Sequence, residues 1–395
     1  MSDKANQALS GLARFMHGVT LFKVAVWTVF LLVFPPLCLY RGLIFGALLT
    51  GGLGLFIDLY LFARPWDDLP DRIRKIIFPP MLLLHLGVLG ITAYSMTQPL
   101  SGGWKAVSGS EKWMEVTGLA QGENTLFLLI GSGGAKSAVL ATPDGGNSFD
   151  TLDYPGGFGW SMAFSPNTRI LYALPRDGST IWTYSLDQKE WKPIRRPPGY
   201  SDRMALLHDR IFIVIENRLY VSDSKHPQFK ELPEAGRPFQ VCTSPDPSNP
   251  IVLATGSRIM ESIDGGQSFR DSTPQGADFR HAECEVGAGG YRYVFSGGMI
   301  TSIFLVAEPG HSYRPRELPD TDTRVLVANP KDGKEIWLGT WGKGIFRSTD
   351  AGSTFISMGL ERNEVRTLWV DFARGRAFAP ASNMLLGGGF YIRSF

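Results

Sequence analysis

Arginine recurs at one position of a repeating strand. The strands are aligned on their ends, Phe164-Ser165-Pro166-Asn167, Thr243-Ser244-Pro245-Asp246 and Ala328-Asn329-Pro330-Lys331. Counting five residues back from these and the matching ends gives Trp160, Arg203, Phe239, Arg324 and Arg366, with Arg280 or His281 in the repeat that holds Cys284. A guanidinium is a planar fork that binds carboxylates in a bidentate manner. Several on one rim would steer and hold an anionic partner. The competing expectation is that each arginine pairs with a local acid, such as Glu285 or Asp322, and only caps its repeat.

Catalytic chemistry has little support. Glycoside cleavage needs two opposed carboxylates; Asp153 and Glu285 are candidates, but a chain of this size offers many such pairs. There is no G-x-S-x-G elbow, phosphate loop, H-E-x-x-H or dinucleotide fingerprint. Cys38, Cys242 and Cys284 lack metal-site spacing. No catalytic residue, cofactor or metal is therefore expected. Cys242 and Cys284 fall on neighbouring inner strands, where buried free thiols are expected and a disulfide is the alternative.

The element that must position these residues is an eight-residue turn occurring three times: Thr142 to Phe149, Ser262 to Phe269 and Ser348 to Phe355. Its rule is Ser/Thr, any, Asp, any, Gly, any, Ser/Thr, aromatic. Asp144, Asp264 and Asp350 can accept backbone hydrogen bonds across a reversal between two strands. Gly146, Gly266 and Gly352 allow positive φ, and Phe149, Phe269 and Phe355 open the next strand facing inward. One carboxylate per turn is too few oxygens for calcium.

This turn resembles the Asp-box, or BNR repeat, of sialidases, the sortilin luminal domain, some xyloglucan hydrolases and a photosystem II assembly factor, all β-propellers. The resemblance covers about three-quarters of the chain and implies that the boxes lie at the blade periphery, away from the ligand face. The sialidase Arg-Ile-Pro motif is absent. The assembly factor carries an arginine patch across blades that meets its client, so the resemblance also implies a client-binding role for Arg203, Arg280, Arg324 and Arg366.

Degenerate turns fill the gaps, giving aromatics at Trp113, Phe149, Trp191, Phe229, Phe269, Tyr313 and Phe355. Intervals of 36 to 44 residues between them suit one four-stranded blade each. The expected fold is an all-β, seven-bladed propeller over 104–395. Its last blade has three strands and is closed by an N-terminal strand around Trp113.

The 395 residues carry a net charge of +2, too small to argue for nucleic acid. Residues 1–18 form a polar tail, with no cleavable signal. Residues 19–96 hold three apolar runs, roughly Val19 to Tyr40, Leu43 to Phe62 and Ile76 to Met96, each long enough for a transmembrane helix. Arg64, Arg72, Arg74 and Lys75 in the second loop place it, with the N-terminus, on the cytoplasmic side. The expectation is a multi-pass bacterial inner-membrane protein with a periplasmic propeller, tethered by 97–103. Gly42, Gly46, Thr50 and Gly54 form a small-residue stripe ending at Asp58, suited to close helix packing. Lys23 and Asp58 could pair within the membrane, and His85 falls near mid-membrane. The expected function is a non-enzymatic scaffold, assembly factor or accessory subunit. Its expected partners are the lipid bilayer and the subunits of a membrane protein complex; a glycan-binding or glycan-cleaving propeller is the alternative.

Overall fold

The computed structural model describes residues 79–80, 82–91, 102–107, 115–122, 124–131, 137–176, 178–246, 248–277, 282–296, 302–320, 322–361, 363–383 and 387–395. The chain divides into two compact units, Met1–Pro99 and Leu100–Phe395.

In the first unit the described helical residues are 79–80 and 82–91, fewer than the roughly 20 needed to cross a bilayer. Among the described residues no helix is long and apolar enough to cross a membrane. This overturns the three expected transmembrane helices and, with them, the multi-pass inner-membrane placement of the chain. Hydropathy reports how apolar a run is; it does not fix how much of that run is one helix. The other two apolar runs lie outside the described residues, as do Gly42, Gly46, Thr50, Gly54, Lys23 and Asp58. His85 is on the described helix and is buried.

The second unit is a seven-bladed propeller: its described residues form seven four-stranded sheets. A short strand, β1 (Lys105–Ala106), comes first and is used last. The first complete blade is β2 (Glu115–Gln121), β3 (Leu126–Gly131), β4 (Ala138–Thr142) and β5 (Asp150–Leu152). The second is β6 (Gly159–Ser165), β7 (Ile170–Pro175), β8 (Thr180–Ser185) and β9 (Glu190–Arg195). The third is β10 (Ser201–Leu207), β11 (Arg210–Ile215), β12 (Arg218–Asp223) and β13 (Lys230–Glu231). The fourth is β14 (Pro238–Thr243), β15 (Val252–Gly256), β16 (Ile259–Ser262) and β17 (Arg270–Asp271). The fifth is β18 (Glu283–Val286), β19 (Arg292–Ser296), β20 (Ile303–Ala307) and β21 (Arg314–Pro315). The sixth is β22 (Thr323–Ala328), β23 (Ile336–Thr340), β24 (Ile345–Ser348) and β25 (Ile356–Gly359). The seventh takes β26 (Trp369–Asp371), β27 (Arg376–Asn383) and β28 (Gly387–Ser394) from the C-terminal end, and β1 completes it.

Closure by an N-terminal strand holds, but the strand is β1, pairing Lys105 with Ile392 and Ala106 with Tyr391. The seventh aromatic is thus Trp104. It stands just before β1, as Phe149, Phe269 and Phe355 stand before their outer strands. It is buried, and its Nε1–H donates to Met358 O at 2.7 Å. Trp113 lies outside the described residues. Both tryptophans fit a blade-length interval, so spacing alone could not choose between them.

Burial explains the strand sequences. The second strands are mostly buried apolar runs; Leu126–Gly131, Val252–Gly256 and Ile336–Thr340 are buried along their whole length. A strand in the middle of a blade has another blade against each face, so neither face can be polar. Successive residues go to opposite neighbours: Phe127 and Leu129 pack against the second blade, Leu126, Leu128 and Ile130 against the seventh.

The three boxes are near-identical in geometry. In the second, Asp264 Oδ1 accepts from the backbone of Gln267 and Ser268 at 2.9 and 3.0 Å, while Ser268 Oγ donates to Oδ2. Ser262 Oγ donates to Asp264 and accepts from Gly266 N at 2.7 Å. The glycine has two reasons to be there. Its φ is +86°, and a Cβ would stand 2.8 Å from the Phe212 ring of the preceding blade. Gly352 likewise abuts Phe304, and Gly146 abuts Ile392.

Cys242 and Cys284 form a disulfide with a Cα–Cα distance of 6.0 Å, in place of the expected free thiols. It joins the inner strands β14 and β18 of adjacent blades. Two small side chains facing each other across a buried blade interface are close enough to bond, which sequence separation did not reveal.

Replacing both cysteines by serine should lower the unfolding free energy by about 2–4 kcal/mol, the usual range for a disulfide closing a loop of this size. Urea titrations with and without reductant check it: the reductant should shift the natural sequence and leave the variant unmoved.

The box carboxylates predict an acid limb. Hydrogen bonds from Ser148 and Ser268 hold Asp144 and Asp264 well below the usual range, and those from Thr354 bring Asp350 to about 2. These are depressed acids, so their contribution to stability is present above the unfolded-state value near 4 and is lost as pH falls through the folded one. Changing the three to Asn should destabilise the protein at pH 7, and the gap to the natural sequence should narrow between pH 4 and pH 2 when urea midpoints are compared.

Candidate functional site: the arginine-lined mouth

The strands of each blade run antiparallel in chain order, so every inner strand begins at the same end of the propeller. The turns joining second to third strands lie at that end too. The three Asp-containing turns join third to fourth strands and lie at the other. The face at the inner-strand starts is therefore separate from the boxes.

The repeating position is a β-bulge. In β2, β6, β14 and β22 the residue left out of the ladder is Thr117, Trp160, Phe239 and Arg324. Bulges re-aim side chains at sheet edges. In β10 the bulge falls between Ser201 and Arg203, and Arg203 itself pairs with Val214. Arg203 thus sits one residue beyond the aligned position, because β10 ends at Leu207 with no Ser-Pro signal to set the count. Arg366 precedes β26. Arg280 and His281 lie outside the described residues.

Arg324 and Arg366 share one ring. Their guanidinium carbons lie 4.3 and 5.5 Å from the centroid of Trp341. Each has a local acid: Arg324 Nε is 2.9 Å from Asp322 Oδ1, and Arg366 Nε bonds the Glu364 carboxylate. Arg203 Nη2 is 3.9 Å from Glu283 Oε2. Glu283 also feels the charge of Arg324, so it links the third, fifth and sixth blades. Lys343 Nζ is 3.8 Å from Asp320. The expected local pairing by Asp322 is present, and Glu283 stands where Glu285 was considered.

Two acids of this rim, Glu283 and Asp322, are weakened as anions. Crowding by protein pushes the Glu283 carboxyl up, against the pull of Arg203 and Arg324. Burial likewise raises Asp322 despite Arg324. Glu285, further along β18, is pushed up to about 8 by the same loss of hydration, only partly offset by the Ala328 backbone N–H. Arginine stays charged throughout, so the balance of the rim shifts toward positive.

Sequence reasoning missed a second recurring position. Arg176 and Trp341 each follow immediately on the end of a second strand, β7 and β23. Arg176 lies between two rings, 4.4 Å from Trp160 and 4.6 Å from Tyr200. Aligning second-strand ends would have found it. Asp153 follows the outer strand β5, and Glu285 is on the inner strand of a different blade, so the two occupy unlike places in the fold. Among the described residues no group of His, Cys, Asp or Glu side chains could hold a metal ion.

No protein-family model matches the sequence, and no curated protein matches it either. The propeller is similar in structure to YCF48 from Cyanidioschyzon merolae, with a TM-score of 0.53 at 15% identity over 74% of this chain and 98% of that one. It is similar to YCF48 bound to a D1 peptide, with a TM-score of 0.55 at 14% identity over 74% and 96%. Hydrazine synthase of Kuenenia stuttgartiensis matches with a TM-score of 0.53 at 11% identity over 72% and 98%. At these identities the likeness shows the fold, and the fold serves proteins of different kinds.

The raised carboxyl of Glu285 predicts a pH effect of known sign. The folded state binds more protons than the unfolded one between about 4.5 and 8, so stability falls as pH rises through that window. Glu285→Gln should match the natural sequence at pH 5 and exceed it at pH 8, read by thermal melts at both values.

Proposed function

We propose that this chain is a non-enzymatic interaction scaffold whose arginine-lined mouth docks an acidic segment of a protein partner. The carrying observation is the placement of Arg203, Arg324 and Arg366. They come from separate blades to one face, are linked through Glu283 and Trp341, and lie away from the structural boxes. Acids whose burial weakens them can yield their arginines to an incoming carboxylate more readily than fully ionised ones. The partner class we favour is a subunit of a membrane protein complex, and the assembly-factor role goes with it. Support comes from the similar propeller bound to a D1 peptide, taken together with the basic rim.

The test is the variant Arg203→Glu, Arg324→Glu, Arg366→Glu. Each lost charge-assisted hydrogen bond is worth about 1.5–3 kcal/mol, so partner recovery should fall by about 100-fold or more. Circular dichroism should report an intact propeller. Co-purification followed by mass spectrometry reads the outcome. Recovery of the same complex by the triple variant would overturn the reading.

A further inference from the structure

We propose that Arg176, whose guanidinium carbon lies over the rings of both Trp160 and Tyr200, is the seat for a carboxylate of the docked peptide. The proposal rests on the scaffold reading and adds a residue and a blade to it.

Arg176 differs from the other rim arginines. Arg203, Arg324 and Arg366 each have an acid beside them. Among the described residues Arg176 forms no ion pair; its partners are the two rings, and its Nε has no hydrogen-bond acceptor. A guanidinium stacked on aromatic faces keeps its in-plane N–H groups for other acceptors. That edge matches a carboxylate in a bidentate manner, and the stacked rings hold the fork in place before binding.

The surroundings fix this geometry from below. The Arg176 backbone N–H donates to Phe158 O at 3.0 Å, and its carbonyl accepts from Ser201 N at 2.8 Å. These bonds tie it to the starts of the second and third blades. Beneath it lies Arg196, 3% exposed. Its guanidinium donates to Pro175 O, Pro197 O and Gly199 O at 3.3, 3.1 and 3.2 Å. One buried cation thus fastens the residue before Arg176 to the residue before Tyr200. Phe158 packs against Trp160 with ring centroids 5.8 Å apart. The nearby acid, Glu216, accepts from the Tyr200 backbone N–H at 2.9 Å. Tyr200 is 45% exposed, so the stack opens to solvent on its side.

The experiment uses the full chain and two fluorescein-labelled hexaglutamate peptides, one with a free C-terminal carboxylate and one amidated. Binding is read by anisotropy at low salt. Arg176→Ala should raise Kd about tenfold or more, the scale of one charged, bidentate contact. Arg176→Lys should lose as much, because an ammonium keeps the charge and not the fork. Tyr200→Ala, at an exposed ring, should weaken binding with near-ultraviolet circular dichroism unchanged. Weaker binding of the amidated peptide would assign the seat to a terminal carboxylate; equal binding would assign it to a side chain. Rescue by lysine, or tight binding by Arg176→Ala, would overturn the proposal and leave the scaffold reading standing. Failure of the natural sequence to bind either peptide would overturn both.

Discussion

The apolar contact between neighbouring blades is what the propeller depends on. Seven buried clusters account for the core, and each joins two adjacent blades. Among the described residues no blade has a core of its own. A four-stranded sheet in this ring is covered on both faces, so its central strands are mostly apolar. Burial of this kind stabilises by roughly 25 cal/mol per Å² of apolar surface, and it is available to a blade only while both neighbours stay in place. The repeated Asp-containing turn serves the same contact. Its glycine is the point where one blade's turn touches a ring or an isoleucine of the preceding blade, so the box is a spacer between blades as well as a reversal within one.

Charged groups that enter the interfaces are paired across them. Glu261 is almost completely buried, yet it receives Arg292 from the next blade together with Arg270 and Ser272. Burial alone would raise its carboxyl; the bond from Arg270 and the charge of Arg292 outweigh that and lower it. Arg292 Nη2 donates to the carbonyls of Glu308 and His311, and its buried Nε is left without an acceptor. A half-matched pair would be costly in this setting. The mouth differs: there the arginines are part-exposed, Glu283 and Asp322 are weakened as anions, and among the described residues Arg176 forms no ion pair. That contrast in matching separates groups that hold blades together from groups free to meet a partner.

Much of the fold was legible in sequence because the repeat is local. Eight residues fix a turn, and a turn fixes the spacing of the next. The failures came where nothing local decides. Trp104 and Trp113 both suit the interval, and only the pairing of β1 with β28 chooses. The disulfide depends on two inner strands meeting across a ring. Hydropathy of the N-terminal runs did not decide helix length, and among the described residues no helix is long and apolar enough to cross a membrane. At the mouth, Arg203 slipped by one residue for want of a strand-end signal. Arg176 carries no motif: its environment is made by Trp160 in its own blade and Tyr200 at the start of the next, joined only by tertiary structure.

The strand that closes the ring sets an order of events. β1 lies near the start of the second unit, and its partner β28 follows six intervening blades. During synthesis the residues of β1 must wait, unpaired, until those blades have been made. Loop-closure entropy for so long a separation is paid before the contact returns anything, which slows such topologies. Until then the first and sixth blades each present an apolar face with no neighbour, the kind of surface on which nascent chains associate wrongly. Trp104, with its buried bond to Met358, makes the closing step a docking of side chain as well as strand. The ring is finished at one seam, and an unfinished molecule is marked by the same seam left open.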